Sequence, residues 1–497
     1  MNPLLASLIC AFGIAGLFYL NRDDSVRTSK ALWLPVIYLW LIGSRPVSVW
    51  LGITPPSAAN LQLEGSPLDA LVFGLLLVAA LVVLIWRGKR TRCFLTANWP
   101  ILIYFFFCLI SVTWAYYPGV AFKKWIKSIG DLVMVLIIVT DGQPVAALRR
   151  LISRVGFLLL PTSVLFIKYY GDLGRGYTPD GEPVNLGVTT NKNSLGLIVL
   201  VVSLVTLWNV RSLLTNKDEP NRGRRLVAQG TLLAFALALL GMANSSTCIA
   251  CFILGGGLIL ATSLRAIRSR PARVHVLCLT IVLVGGAISL LGGQAGVIHA
   301  LGRDTSLSGR TEIWAAVIPA APNSIVGAGF ESFWIGPDVQ KVYRSLEGWW
   351  DPQLINEAHN GYIEVYLNLG WIGVCLIALL LISGYRRACR AFQRDPELGS
   401  LFLAYVGTFA IYSITEAGFR ELGASWIFLL LAVVGATGVS AGLFHVAEDQ
   451  ITTSQIARAG GGFKNGPPNL QKGSSGAAQL NLNQQSGPQL MKQRQLR

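Results

Sequence analysis

Apolar stretches recur from one end of this chain to the other, and they constrain the fold more tightly than any single residue. About 17 to 25 consecutive apolar residues are needed to cross roughly 30 Å of hydrocarbon as a helix. In lipid, a spanning segment must also satisfy its own backbone polar groups. The stretches fall near residues 3–20, 31–43, 70–86, 99–115, 129–140, 151–168, 195–210, 227–242, 248–264, 274–292, 366–385, 401–415 and 425–443. Charged residues make up only 13% of the 497 positions, where a soluble domain carries about a quarter. The expectation is an all-α, polytopic membrane protein of about 12 to 13 transmembrane helices with no large soluble domain. Asn2 to Leu20 lacks a positively charged start and an A-x-A-like cleavage site, so it reads as a retained span.

Basic residues gather in alternate connections: Arg87, Lys89, Arg90 and Arg92; Arg211, Lys217, Arg222, Arg224 and Arg225; Arg265, Arg268, Arg270 and Arg273; Arg386, Arg387, Arg390 and Arg394. The positive-inside rule puts these groups in the cytoplasm. They account for most of the net charge of +16, which therefore reports topology and not nucleic-acid binding. Lys123, Lys124 and Lys127 fall outside in this alternation. With Phe122, Trp125 and Ile126 among them they suit an amphipathic interfacial helix, or a slip in the span count. The same alternation leaves residues 169–194, the turn Ala243–Thr247 and the long loop 293–365 on the outer, periplasmic side. A membrane domain over 1–443 is followed by a Gly-, Gln-, Asn- and Ser-rich stretch, 444–497, that cannot bury a core and reads as a disordered cytoplasmic tail.

All eight cysteines fall in apolar stretches or in connections placed in the cytoplasm, so no disulfide framework is expected. Cys248 and Cys251 have the spacing of a metal or redox pair but no second pair of ligands, and read as small packing residues.

The seventh, ninth, eleventh and thirteenth stretches run from outside inward, so the unpaired amides of their first turns face outward, where they suit anions. Three are preceded by "GVTTNKNSLG" (187–196), "ANSST" (243–247) and "EAHNG" (357–361). Asn193, Ser246 and Thr247 in these segments are first of all capping types. Lys192 does not follow from capping: a cation beside a positive dipole end is unfavourable unless an anion offsets it, the alternative being a simple exposed charge. Arg310, in "SLSGRTEIWAAVIPAAP" (306–322), sits likewise in the first turn of a helix capped by Ser306 or Ser308, with Ile313, Trp314, Val317 and Ile318 as its apolar stripe. A snorkelling arginine is the plain alternative. His359, one of four histidines, lies between Glu357 and Asn360 at a helix start. There an imidazole titrating near neutrality can handle protons, or serve as a hydrogen-bonded structural group. Phe333, Trp334, Tyr343, Trp349 and Trp350 suit an interfacial aromatic belt or flat faces for sugar rings.

Taken together, R-T-E-I-W (310–314), H-N-G-Y-I-E (359–364) after a long outer loop, and the "LNLGWIGV" that leads into a span resemble the O-antigen ligase and polymerase family of bacterial envelope glycan assembly. G-V-T-T-N-K-N-S-L-G (187–196) is similar to its exopolysaccharide-polymerase branch, and the resemblance covers residues 180–440. It implies a membrane-type (GT-C-like) glycosyltransferase of the bacterial inner membrane with a periplasmic active face. Its donor would be a glycan on polyprenyl diphosphate, transferred with inversion to the hydroxyl of a glycan or lipid-linked acceptor, without cofactor or metal. Other polysaccharide assembly proteins would be partners. The family's arginine before the tryptophan maps to Arg310 and its loop-end histidine to His359, with Glu357 or Glu364 orienting the imidazole. The diphosphate is expected on Arg310, Lys192, Arg175, Asn193, Ser246 and Thr247. The chain departs from the family at Ser245–Thr247, where many members carry an arginine and this sequence has none; Lys192 or Arg175 is expected to replace it.

The resemblance leads to a polymerase, with a ligase that hands finished glycan to lipid A core or protein as the alternative. A lipid-linked oligosaccharide flippase or transporter is the reading from a different class. Internal repeats and charges midway through the spans would favour transport; the sequence instead gathers its informative residues on one face beside a long loop.

Overall fold

The computed structural model describes residues 2–23, 26–53, 65–177, 181–290, 308–346 and 355–444. Ser306, Trp349, Trp350 and the stretch 445–497 lie outside them. The described residues are mainly helical. In chain order the principal helices are α1 (Pro3–Leu20), α2 (Trp33–Ile42), α3 (Pro67–Trp86), α4 (Gly88–Ala97), α5 (Trp99–Ser111), α6 (Pro118–Val139), α7 (Pro144–Tyr169), α8 (Lys192–Thr215), α9 (Arg222–Ala243), α10 (Ser246–Ala261), α11 (Pro271–Leu290), α12 (Ser308–Ala320), α13 (Val339–Ser345), α14 (Gly361–Arg394), α15 (Pro396–Thr415) and α16 (Ala424–Ser440). One short antiparallel hairpin, β1 (Arg175–Tyr177) with β2 (Pro183–Asn185), interrupts the helical pattern.

Among the described residues seven helices are long and apolar enough to cross a membrane by themselves: α1, α3, α7, α8, α9, α14 and α15. The pair α4 and α5, bent by 85°, makes an eighth if it counts as one broken span. The expected stretches near 31–43, 248–264 and 425–443 form shorter apolar helices. The two remaining expected stretches, near 129–140 and 274–292, fall in α6 and α11. The stretch at 129–140 and the lysines before it are one continuous helix, α6, not a span plus a separate interfacial helix.

Contacts divide the helix ends into two sets. At one end Arg87 reaches Asp141 at 3.4 Å, Arg149 reaches Glu397 at 2.7 Å, and Arg225 bridges Asp23 and Glu219 at 3.2 and 2.6 Å. These contacts tie the basic connections read from the sequence into one layer, the basic end. The opposite ends of α6, α14 and α15 meet the connections around α12, and carry the candidate site. The 24 residues of α8 separate the two layers by roughly 36 Å.

α15 is the central element, with 83% of its apolar window buried inside the protein against 11% for α1 and α3. Lipid gives helices no hydrophobic reason to associate, so close packing carries this core. Gly384 of α14 lies against Val433 of α16, and Gly196 of α8 lies against Ser245 and Cys248. All eight cysteines are free thiols.

α14 contains a break that shapes the site. Gly370 has φ 62° and ψ −164°, which interrupts the helix between Leu369 and Trp371. The freed backbone groups are taken up by the connection after α12. Ala328 and Gly329 donate to the carbonyls of Leu367 and Asn368 at 2.9 Å each, and Trp371 donates to Ser324 at 2.9 Å. Irregular backbone inside a spanning helix survives only with such replacement partners. The result anchors the segment 323–333 against the first turns of α14.

Candidate active site

Helical spacing first brings Arg310 and His359 together. Arg310 and Trp314 are four residues apart on α12, hence on one face. The Trp314 indole donates to the carbonyl of Ala358 at 2.8 Å, while Arg310 Nη2 reaches Glu416 Oε1 at 2.9 Å. The motif thus carries one residue that clamps the histidine's loop and one that faces the charged group beside it. Asn360 caps α14, its side chain accepting from the amides of Tyr362 and Ile363. The Gly361 amide donates to the Glu416 carbonyl at 3.0 Å, which docks the start of α14 on the end of α15.

Charges then alternate across the site. His359 Nδ1 lies 3.6 Å from Glu416 Oε2 on one side and 3.0 Å from Glu357 Oε1 on the other. Arg420 Nη1 is 3.6 Å from Glu357 Oε2, and its Nε is 3.7 Å from Glu331. Lys124 of α6 closes the row, donating to the Glu331 carbonyl at 3.0 Å with its carboxylate 3.9 Å away. An imidazole therefore stands between two carboxylates, each faced by a guanidinium. The His359 contacts are ion pairs without the alignment of a hydrogen bond, since Nδ1 has no hydrogen-bond partner. The middle of the row meets solvent: His359 is 32% exposed and Arg420 39%, whereas Glu416 is 6% exposed.

These neighbours set protonation. Burial pulls the His359 pKa down, but Glu357 and Glu416 outweigh it and raise it to about 9, so the ring is an imidazolium at neutral pH. Burial works against the Glu357 carboxylate too, yet His359, Arg420 and Arg310 hold it below its ordinary range. Burial opposes the charge on Arg420, and Glu331, Glu421, Glu364 and Glu357 more than restore it.

Behind this row a hydrogen-bonded layer fixes the backbone. Glu364 accepts from the Trp334 indole at 2.9 Å and from the Ala358 amide. It therefore holds the histidine's loop rather than the imidazole it was expected to orient. Asn368 Oδ1 accepts from the amides of Ser332 and Phe333 at 2.8 and 3.0 Å, which positions Glu331. Glu331, His359 and Leu422 have φ of 51°, 47° and 55°. Among the described residues, the two other non-glycine residues with positive φ are asparagines, which tolerate it. Backbone outliers gathered at one place indicate a site that the surrounding structure holds under constraint.

The other expected anion ligands divide. Thr247 Oγ1 lies 3.1 Å from Thr415 Oγ1, one residue from Glu416, so the start of α10 reaches the site. Ser246 precedes it in the first turn of α10. Lys192 and Asn193 open α8, whose cap is Asn191, and α8 packs on the start of α10 through Gly196. No ion pair holds Lys192 among the described residues. Arg175 is the departure: its Nε donates to the Ile167 carbonyl at the end of α7 at 2.7 Å, and among the described residues no contact joins it to the Arg310–His359 row. Glu416, Arg420, Glu331 and Lys124 were not read as site residues from the sequence. The one signal was a lysine group on the side of the alternation where basic residues are scarce.

Glu357, His359 and Glu416 offer ligand atoms within 4.8 Å of one another, a spacing that a cation can bridge. The donor set suits one poorly. Arg310 and Arg420 already face both carboxylates, and a metal would have to displace the imidazolium proton. A cavity of about 800 Å³ lies at the basic end among Arg149, Arg150 and Arg225, away from this row.

Residues 230–378 match the family model described as O-Antigen ligase. The chain is also similar to the exopolysaccharide production protein ExoQ of Rhizobium meliloti (strain 1021), with 26% identity over 311 residues that cover 60% of this chain and 67% of that protein. The matched region contains Arg310 and His359. This chain, with several helices long and apolar enough to cross a membrane, is thus similar over part of its length to the O-antigen ligase family and to an exopolysaccharide production protein.

Proposed function

We propose that the chain polymerises an envelope polysaccharide on the periplasmic face of the bacterial inner membrane, taking glycan from a polyprenyl-diphosphate donor. The observation that carries this reading is the imidazolium of His359 held in one row with the guanidinium of Arg310 at partly open sites. Cleaving the bond between an anomeric carbon and a diphosphate leaves negative charge on the diphosphate. Preorganised cations in a site of low dielectric are what that transition state needs. Arg310 supplies a planar fork matched to phosphate oxygens. His359 supplies charge and a donated proton, so its part is to stabilise the leaving group rather than to act as the base. The cations leave the reaction without need of a metal. The start of α10, with Thr247 against the row, adds helix-end amides facing the same anion.

Similarity to an exopolysaccharide production protein supports polymerisation over ligation to lipid A core or protein. The test is the purified full chain in proteoliposomes given a polyprenyl-diphosphate-linked repeat unit alone. A polymerase yields a ladder of lengthened glycan with release of polyprenyl diphosphate, and exhaustive chelation leaves the rate unchanged. Product that appears only when a lipid A core acceptor is added would identify a ligase. No consumption of the donor under either condition would overturn the reading.

A further inference from the structure

The carboxylates of the row are held in different ways. Glu416 accepts a 2.9 Å hydrogen bond from Arg310, and Glu364 accepts from Trp334 and the Ala358 amide. Glu357 has neither kind of anchor. Its contacts are the ion pairs to His359 at 3.0 Å and to Arg420 at 3.6 Å, and its side chain is 27% exposed. Arg420 is equally loose: its contacts at 3.6 and 3.7 Å lie beyond N–H···O bonding distance. Among the described residues no hydrogen bond uses any of its five donors. His359 Nδ1 is likewise without a hydrogen-bond partner. Two cations with idle donors thus converge on one unanchored carboxylate at the open part of the site.

That is the arrangement expected where a carboxylate stands in for an absent anion. A carboxylate shares with a phosphate group its negative charge and its paired acceptor oxygens, and guanidinium forks fit both. The stand-in must also be able to leave: Glu357 and Glu331 both have only charge–charge contact to break, and of the two it is Glu357 that lies against both His359 and Arg420.

We propose that Arg420 binds the second phosphate of the donor diphosphate, and that Glu357 is the resident counter-charge which the donor displaces from Arg420 and His359 and which then takes the acceptor's proton. This rests on the reading that the site receives a diphosphate-linked glycan. In the step itself the acceptor hydroxyl oxygen forms a bond to the anomeric carbon. The bond from that carbon to the diphosphate oxygen breaks, its electron pair leaves with the diphosphate onto Arg310, His359 and Arg420, and the hydroxyl proton moves to Glu357. Donor binding and base release become one event, so the base is free only when there is a substrate to use it.

The experiment is steady-state kinetics of the full chain in proteoliposomes with a polyprenyl-diphosphate-linked glycan, for wild type, Glu357→Gln, Arg420→Ala and Arg420→Lys. Arg420→Ala raises the donor KM by about tenfold or more. Arg420→Lys keeps the charge but not the fork, and falls between. Glu357→Gln lowers the donor KM, because an amide competes less well for the two cations, while kcat falls by about 10² to 10⁴. A merely structural role for Glu357 would not tighten donor binding, so that opposite movement of KM and kcat is the decisive readout. If Arg420→Ala fails to insert, Arg420→Lys and Glu357→Gln still decide. A wild type that consumes the donor while both arginine variants keep its KM, or while Glu357→Gln raises it, overturns the assignment alone. A wild type that consumes no such donor overturns the functional reading and this assignment with it.

Discussion

At His359 two carboxylates decide the charge of one ring, and that charge has a pH signature. The folded pKa is raised to about 9, above the ordinary value near 6.5. The imidazolium therefore contributes stability that is fully present below about pH 6.5 and is lost as pH rises through about 9. The charged groups that face this row are Glu331, Glu357, Glu364, Glu416 and Glu421 with Arg310, Arg420 and Lys124. Donor turnover is expected to fall along a basic limb near pH 9, and Glu416→Gln to move that limb to lower pH; a pH–rate profile of both proteins checks it. His359→Ala, in chains inserted at normal levels, is expected to lose about 10² or more in kcat, measured as glycan transferred per chain. Arg310, Glu357 and His359 were legible in the sequence because their motifs sit at helix starts. Glu416 and Arg420 were not, because "TEAGFRELG" has no periodicity, and neither was Glu331 in the connection after α12; their partners are chosen by how these segments pack. For Glu364 the position in the first turn of α14 was readable, but not which side of the loop its carboxylate would meet.

Among the elements, α14 does the most to build the site, and its break is the part the sequence concealed. A glycine in "LNLGWIGV" is unremarkable within a spanning helix, and nothing local announces that the chain at 323–333 will lie against it. Gly370 has a left-handed backbone, and an added Cβ would come within 2.2 Å of the Ile325 carbonyl. Gly370→Ala is expected to destabilise the protein by at least about 1–3 kcal/mol. Gly74→Ala in α3, where an added Cβ meets nothing within 4 Å, leaves thermal unfolding in detergent unchanged or slightly improves it. Asn368→Ala strips the Ser332 and Phe333 amides of their acceptor, at about 1–3 kcal/mol for each buried donor left unpaired. The same thermal unfolding measurement reports it, and turnover falls with it because Glu331 loses its fixed position.

On the scale of the molecule, the basic connections lie together at one end and the charged row at the other, as the alternation of Lys and Arg along the chain had indicated. That much was legible because charge and apolar length are properties of segments, independent of packing detail. The span count was less so: among the described residues, length and apolarity single out seven helices and up to eight spans, with further expected stretches forming shorter apolar helices. The arrangement predicts opposite accessibility for two thiols. Cys93 is exposed on α4 at the basic end, and Lys341, 61% exposed beside Asp338, lies on the connection at the site end. In intact cells with a permeable outer membrane, a membrane-impermeant maleimide is expected to label Lys341→Cys and to spare Cys93 until the inner membrane is opened. Labelling of both from one side would contradict the topology.

The central claim is that the diphosphate of a lipid-linked glycan lies between the Arg310 guanidinium and the His359 imidazole. Its most direct test is a cryo-electron microscopy structure of the full chain with polyprenyl diphosphate bound. The account predicts phosphate density within hydrogen-bonding distance of both groups. Phosphate density elsewhere, such as in the cavity lined by Arg149, Arg150 and Arg225 at the opposite end, would contradict it.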